Sequence, residues 1–471
     1  MADQTGGFTS DVVVGPATEA EVTPQGDSLR RSSVARFLAD SSGLVFGVLG
    51  GVITARWLGP SGKGLFSSLT FLAALVMQAG SLGLGDAAIV MVGQRRASIQ
   101  EAVSITVALT LCSAAVGTAL FWAAAVLWFR DDLDALRTAI LVATLGFPVS
   151  LFAYVLSFML SARQMLVANS LVLGTISAGT ALGLVLFVAV VPLEIAGGTL
   201  AGVFGAGAGL AVGFVLLTRA GLSLRPRWNR EYVGAALRYG ISVEASYLVT
   251  VMFLRVDLLF AYALAGPAAA GQYSVALTIS ALVALLPIAM SHASFPRLAN
   301  VGEDEANELT GQVCRYGVAA ATVAAALLGL ATPVAIPLLF GREFAPAVAP
   351  TLILLVGGIL WATQWILCRA AAARGRPGLL LRSFGLGLVV MAGLDYVLIP
   401  RIGIVGAALS AVAGPAAGLV LALRSYHRSS WWERPLTVFV PRWKDFRAFF
   451  GECLGMLPIS RGQTAKRGGQ P

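Results

Sequence analysis

Charge is scarce in this chain, lysine scarcer still, and histidine almost missing. Only 12% of the 471 residues are charged, against roughly 25% in soluble domains. With 57% hydrophobic residues and a mean hydropathy of +0.81, this deficit excludes a soluble enzyme and points to a polytopic membrane protein. Backbone groups in lipid must be satisfied internally, and the sequence lacks the alternation of a barrel, so the spans are helices. Histidine occurs only as His292 and His427, too far apart for a shared metal site. His292, near a helix end, reads as a capping or interfacial residue rather than a proton relay. The four cysteines, Cys112, Cys314, Cys368 and Cys453, include no C-x-x-C pair, which argues against a disulfide framework or a zinc site. The only lysines are Lys63, Lys444 and Lys466, beside thirty arginines. With the abundance of alanine and glycine, that bias suggests a GC-rich bacterial genome.

What the chain does have is long apolar runs. A hydrocarbon core of ~30 Å needs about 20 apolar residues per helix. Twelve spans are predicted, at 36–58, 64–92, 101–129, 136–160, 165–190, 195–218, 238–264, 270–293, 313–338, 346–372, 379–399 and 402–424. The first residues are polar and acidic and lack the basic start and short apolar core of a signal peptide. They read as a disordered cytosolic tail, 1–33. With the N-terminus inside, cytosolic segments before the C-terminal tail hold seventeen basic residues and outside segments six. By the positive-inside rule both termini face the cytosol, with Arg369, Arg374, Arg376 and Arg382 counted among the cytosolic group. The net charge of +9 is thereby topological, and no nucleic-acid partner is expected. In the tail, Phe446, Phe449, Phe450, Cys453, Leu454 and Leu457 recur at helical spacing, the pattern of an amphipathic helix on membrane lipids.

The stretch "WLGPSGKGLF" (57–66) looks like a phosphate-binding loop and fails the pattern. Trp57 stands where the first glycine belongs and Gly64 where the magnesium-binding hydroxyl belongs. The stretch instead has an echo. "LGPSGKGLFS" (58–67) aligns with "AGPAAAGQYS" (265–274) at an offset of 207. "VPLEIAGGTLAGV" (191–203) answers "IPRIGIVGAALSAV" (399–412). The chain is therefore a duplication of a six-helix unit. Six is even, so the two copies are parallel repeats related by an axis along the membrane normal. The expected fold is all-α, with about twelve transmembrane helices around a central cavity. The divisions are the tail 1–33, a first lobe 34–218, a cytosolic linker 219–237, a second lobe 238–424 and a cytosolic tail 425–471. Ala270 replaces Lys63 in the second copy, so Lys63 reads as a solvated loop charge.

A charge at a helix centre costs at least ~2.5–3.5 kcal/mol, so each one is a candidate functional group. On "YGISVEASYLVTVMFLRVDLLFAYALAG", Glu244 and Arg255 are close to three turns apart, on one stripe and ~16 Å from each other. Tyr247 and Tyr262 lie near that stripe. Asp257, two residues from Arg255, points nearly opposite. Arg36 and Asp40, four apart, can pair near the cytosolic boundary. Gln78 and Gln364 are polar groups in mid-span. Asp395, near the outer end of its span, is expected to snorkel. A cavity arginine suits phosphate, whose oxygens match its planar fork. A cavity carboxylate could couple transport to a proton or a sodium ion, the one cofactor this reading admits.

"ITARWLGPSGKGLFSSLTFLAALVMQAGSLGLGDA", "RVDLLFAYALAGPAAAGQYSVAL", "ASFPRLA", "LLFGREFAPAVAP" and "LIPRIGIVGAALSAVAG" occur in this order. Together they resemble bacterial polysaccharide transporters, the lipid-linked oligosaccharide flippases of the multidrug/oligosaccharidyl-lipid/polysaccharide exporter superfamily. The resemblance covers roughly residues 34–424. It implies two six-helix lobes around a V-shaped cavity, alternating between inward- and outward-open states. It implies a bacterial cytoplasmic-membrane protein that flips an undecaprenyl-pyrophosphate-linked oligosaccharide for surface polysaccharide synthesis. Headgroup recognition carries over to Arg255 alone, and polymerase or export proteins are expected partners.

The runner-up is a cation-coupled drug antiporter of the same superfamily, which Asp40 and Glu244 keep open. A membrane glycosyltransferase needs a catalytic domain outside the membrane, and the loops are too short for one. A non-transporting membrane protein of glycan assembly is a further alternative, and the deep charges argue mildly against it. No triad, metal cluster or phosphate loop is present, so an enzyme is not expected.

Overall fold

Helix length decides the first question of topology. Helix α1 runs from Leu29 to Ser81, 53 residues, or about 80 Å, too long for one ~30 Å crossing. It is two arms joined at Gly59, whose φ of 66° and ψ of −179° leave the helical region. Only glycine adopts that conformation readily, and Pro60 then starts the second arm with its φ already set. The computed structural model describes the backbone at residues 29–95, 97–223, 225 and 230–428. The side chains of 29–42, 44, 230, 231, 296, 427 and 428 fall outside that description, as does the predicted tail helix at 446–457.

After α1 come α2 (Leu84–Gly93), α3 (Ile99–Trp128), α4 (Leu133–Ala162), α5 (Leu166–Leu184) and α6 (Glu194–Arg219). The second half contains α7 (Arg230–Ala265), α8 (Pro267–Ser280), α9 (Leu285–Leu298) and α10 (Glu303–Leu339). It closes with α11 (Val348–Ala373), α12 (Gly378–Ile402) and α13 (Ile404–Arg428). Among the described residues, eleven stretches are long and apolar enough to cross a membrane, and the first, Val45–Gly93, holds both arms of the α1 region. The expected twelve crossings are thus present and the fold is all-α.

The duplication is visible in backbone conformation. Gly266, 207 residues after Gly59, has φ 87° and ψ 174°, and Pro267 follows it as Pro60 follows Gly59. We call the end of the bundle that carries these two turns the turn end, and the end carrying the connection between α6 and α7 the linker end.

Two helices start earlier than their apolar runs. α7 begins at Arg230, inside the predicted linker, because Tyr232, Val233 and Ala236 form a buried stripe against Leu217 and Leu222. α10 begins at Glu303, where three acidic residues occupy the first turn and complement the helix dipole. The second crossing is not continuous. Leu82 and Gly83 take positive φ values of 50° and 62° and separate α1 from α2. The largest apolar cluster joins both halves, with Leu65, Leu69 and Phe121 from the first and Leu258, Tyr262 and Tyr273 from the second.

Candidate functional site

At the turn end the two lobes meet backbone to backbone. A methyl group built on Gly64 would collide with the Pro267 carbonyl, and one built on Gly271 would collide with the Pro60 carbonyl. The contact is reciprocal, as an axis between the halves requires. The glycines of the 57–66 stretch therefore serve helix packing, not a phosphate. Around this point Arg56 of the first lobe donates from Nε to the Leu339 carbonyl at 2.7 Å, and from its terminal nitrogen to the Leu338 carbonyl. It caps the end of α10, where a cation is favoured. Tyr262 Oη donates to Asp132 Oδ2 across the lobes at 2.6 Å.

Lys63 corrects the sequence reading. It is 6% exposed, not a solvated loop charge. The second arm of α1 already begins at Pro60, so Lys63 lies one turn into a helix. Its Nζ donates to the buried Thr54 Oγ1 at 2.7 Å and lies 5.9 Å from the centre of the Phe66 ring.

Toward the linker end the contact is made by a side chain. Glu244 of α7 is buried and accepts three hydrogen bonds from the first lobe. The donors are Gln78 Nε2 (2.7 Å), Ser81 Oγ (2.7 Å) and the Gly83 amide (2.8 Å). Gly83 and Gly240 let the two backbones approach closely enough for this. The break at Leu82 is what frees the Gly83 amide to point at the carboxylate instead of at a helical carbonyl. The structure thus brings Glu244 and Gln78 together. Ser81 and Gly83 complete the set and carried no sequence signal beyond the glycine itself. Tyr247, on the same helix, is 43% exposed, whereas Tyr262 is buried in the interlobe contact.

Arg255 and Asp257 lie within electrostatic reach of each other and of Tyr273. Arg255 is half-buried and donates no side-chain hydrogen bond among the described residues. Lys63 lies within its electrostatic reach. Asp257 is 1% exposed and accepts from Tyr273 Oη at 2.5 Å and from the Leu258 amide at 2.8 Å. Asp395 approaches it from α12, near enough for the two carboxylates to interact.

Asp395 is the second correction. It does not snorkel: it is 0% exposed, and neither carboxylate oxygen has a hydrogen-bond partner among the described residues. Met391 and Ile399, one turn to either side, are buried on the same stripe of α12, which packs on α7 and α13. The neighbouring Ser410 hydroxyl donates to the Gly406 carbonyl at 3.0 Å instead. A buried carboxylate without a donor is stable only with a proton or a cation on it.

Gln364 proves to be internal to the second lobe. It donates to Ser383 Oγ at 2.9 Å, and Ser383 passes the chain on to the Gly418 carbonyl at 2.7 Å. Arg36 and Asp40 lie on the first arm of α1, and their side chains are outside the described set. Among the described residues, no three His, Cys, Asp or Glu side chains group as metal ligands.

Comparison with known proteins gives the same architecture. An inward-facing multidrug resistance MATE family transporter of the MOP superfamily superposes with a TM-score of 0.69 at 16% identity, covering 85% of this chain and 98% of the other. The outward-facing form of a MATE family transporter gives 0.62 at 17%, covering 85% and 96%. A MOP superfamily transporter from Pyrococcus furiosus, described as having a binding pocket of reversed polarity, gives 0.58 at 14%, covering 85% and 95%. These are structures of transporters, not enzymes, and at such identities they establish the fold. Comparison with curated protein sequences gave no significant match. The profile of a polysaccharide biosynthesis protein family matches residues 53–349. With a transporter fold and membrane-crossing helices throughout, this multi-pass membrane protein belongs to that polysaccharide biosynthesis protein family.

Proposed function

We propose that the chain carries a lipid-linked, pyrophosphate-bearing oligosaccharide across the bacterial cytoplasmic membrane by alternating access of its two lobes. The observation that carries this reading is Arg255. Its guanidinium is half-buried on α7 and spends none of its hydrogen bonds within the described protein. Asp257 is its charged neighbour but forms no hydrogen bond with it, so the planar fork is left open, and it suits a phosphate. Membership of a polysaccharide biosynthesis family supports a glycan as the group attached to it. The basic-residue asymmetry supports a cytosolic linker end and cytosolic termini.

Asp257 and Asp395 are the groups to which we assign the coupling ion, a proton or sodium. The first is bonded and the second has no donor, so binding an ion at Asp395 relieves an unfavourable burial. Polymerase or export proteins would meet the cytosolic surface. The test is flipping of an undecaprenyl-pyrophosphate oligosaccharide in proteoliposomes, wild type beside Arg255→Ala. Loss of one charged hydrogen-bonding partner corresponds to about a tenfold or larger fall in rate. An Arg255→Ala protein that folds and flips at the wild-type rate refutes the role. No flipping by wild type, together with ion-driven drug efflux, would transfer the assignment to the cation antiporter reading, which the buried carboxylates favour.

A further inference from the structure

One face of α11 carries three covered donor nitrogens that meet no acceptor among the described residues. Trp361, Trp365 and Arg369 are spaced by four residues, so they share a stripe and span about 12 Å. The two indoles stack at 5.8 Å and 30°. The Arg369 guanidinium lies 4.5 Å from the centre of the Phe295 ring on α9 and 5.9 Å from that of Trp365. Both indole Nε1 atoms and the arginine Nε are buried without a hydrogen-bond partner among the described residues. Among the described residues Arg369 makes no ion pair, and its electrostatic neighbour is the Tyr247 side chain of α7. Arg369, counted above on the cytosolic side, stands one turn from the linker end of α11.

Arg369 is half-buried: its Nε is covered and its guanidinium lies over Phe295, while the residue keeps some exposure. The indoles are not explained as headgroup anchors. An interfacial tryptophan keeps its N–H in the headgroup layer, whereas these two N–H groups are covered, and Trp361 lies eight residues further from the linker end than Arg369. Buried donors with no acceptor are costly, and three on one stripe define what would satisfy them. The ligand must be rich in acceptors, anionic at one end, and flat enough on its other part to lie along aromatic rings. A phosphorylated saccharide has these properties: phosphate oxygens for Arg369, with hydroxyls and a C–H face for the indoles.

We infer that Trp361, Trp365 and Arg369 form a second binding station for the phosphate–sugar part of the substrate, at the linker end and separate from Arg255. The inference rests on the proposed substrate class. It makes transport a transfer between two arginines, with Arg369 receiving the headgroup and Arg255 holding it deeper.

The test uses the full chain in lipid nanodiscs and three probes: farnesyl pyrophosphate, farnesyl-pyrophosphoryl-N-acetylglucosamine, and farnesol as the uncharged control. Arg369→Gln is expected to weaken both pyrophosphate probes about tenfold or more, the value of one charged hydrogen bond, and to leave farnesol unchanged. Trp365→Phe keeps a ring and removes the N–H, so it should weaken the glycosylated probe more than the bare pyrophosphate. If Arg369→Gln does not fold, Arg369→Lys keeps the charge without the planar fork and should still lose several-fold in affinity. A folded Arg369 variant with wild-type affinity for both pyrophosphates overturns the station. If that wild-type affinity is lost only in Arg255→Ala, the proposed function survives and this inference does not. Wild-type protein that binds neither pyrophosphate overturns both.

Discussion

The two ends of the bundle hold the lobes together by different means. At the turn end main chain meets main chain, with Gly64 against Pro267 and Gly271 against Pro60, and Arg56 on the end of α10 and Tyr262 on Asp132 bond beside it. Near the linker end the contact is made by one carboxylate, Glu244, with three donors opposite. The main-chain part of the first contact does not depend on charge and cannot be displaced by a competing side chain. A carboxylate with three donors can be released by anything that competes for its oxygens or for the donors. The difference suggests a fixed pivot at one end and a releasable clasp toward the other.

The largest effect should come from Gly64→Val or Gly271→Val. No side chain can yield there, because the obstructing atoms are main chain. We expect a loss of about 3 kcal/mol or more, at the upper limit of overpacking, read as a fall in melting temperature by fluorescence-detected size exclusion. Either variant melting like wild type would break the comparison. Glu244→Ala comes next. It strands three donors and should cost about 2 kcal/mol, while spin labels at Gln94→Cys and Arg376→Cys, in a background lacking Cys112 and Cys453, move apart. Unchanged label distances would mean that the clasp is not what holds this end closed.

Asp395→Asn should act in the opposite sense. Removing a buried unpaired charge raises stability by about 1 kcal/mol, and transport loses its sodium or pH dependence. Transport that keeps its ion dependence would remove Asp395 from the coupling site. The smallest effect is expected from Lys63→Met, within about 1 kcal/mol, since Lys63 has one hydrogen bond and its counterpart Ala270 packs without one. A larger loss would show that Lys63 holds the turn end together.

The fold was largely legible. Twelve crossings, a duplication and its offset follow from apolar length and from two echoed turns, and Gly59 and Gly266 share a backbone conformation as the echo implies. The site was legible in part. Glu244, Arg255, Asp257 and Gln78 stand out because charge or amide groups are rare inside spans. Lys63 and Asp395 were misplaced for one reason. Each sits within a few turns of a helix end, where sequence position suggests solvent, and only packing decides. For Lys63 the decisive fact is the helix arm that starts at Pro60, and for Asp395 it is the buried stripe of Met391 and Ile399 on α12. The Gly83 amide had no signal of its own kind, because a helix break is needed to expose it.

The reciprocal glycine contact also bears on ancestry. Residue i meeting j while j meets i is what an isologous interface does in a homodimer with a twofold axis. The same turn, present once in a single six-helix subunit, would be self-complementary: each glycine would meet its own copy's carbonyl on the neighbouring subunit. Fusing two such subunits end to end would preserve that interface while freeing each copy to change elsewhere. Lys63 against Ala270, and the charged residues of α7 against their unmatched counterparts in α1, are the divergence that such a fusion allows.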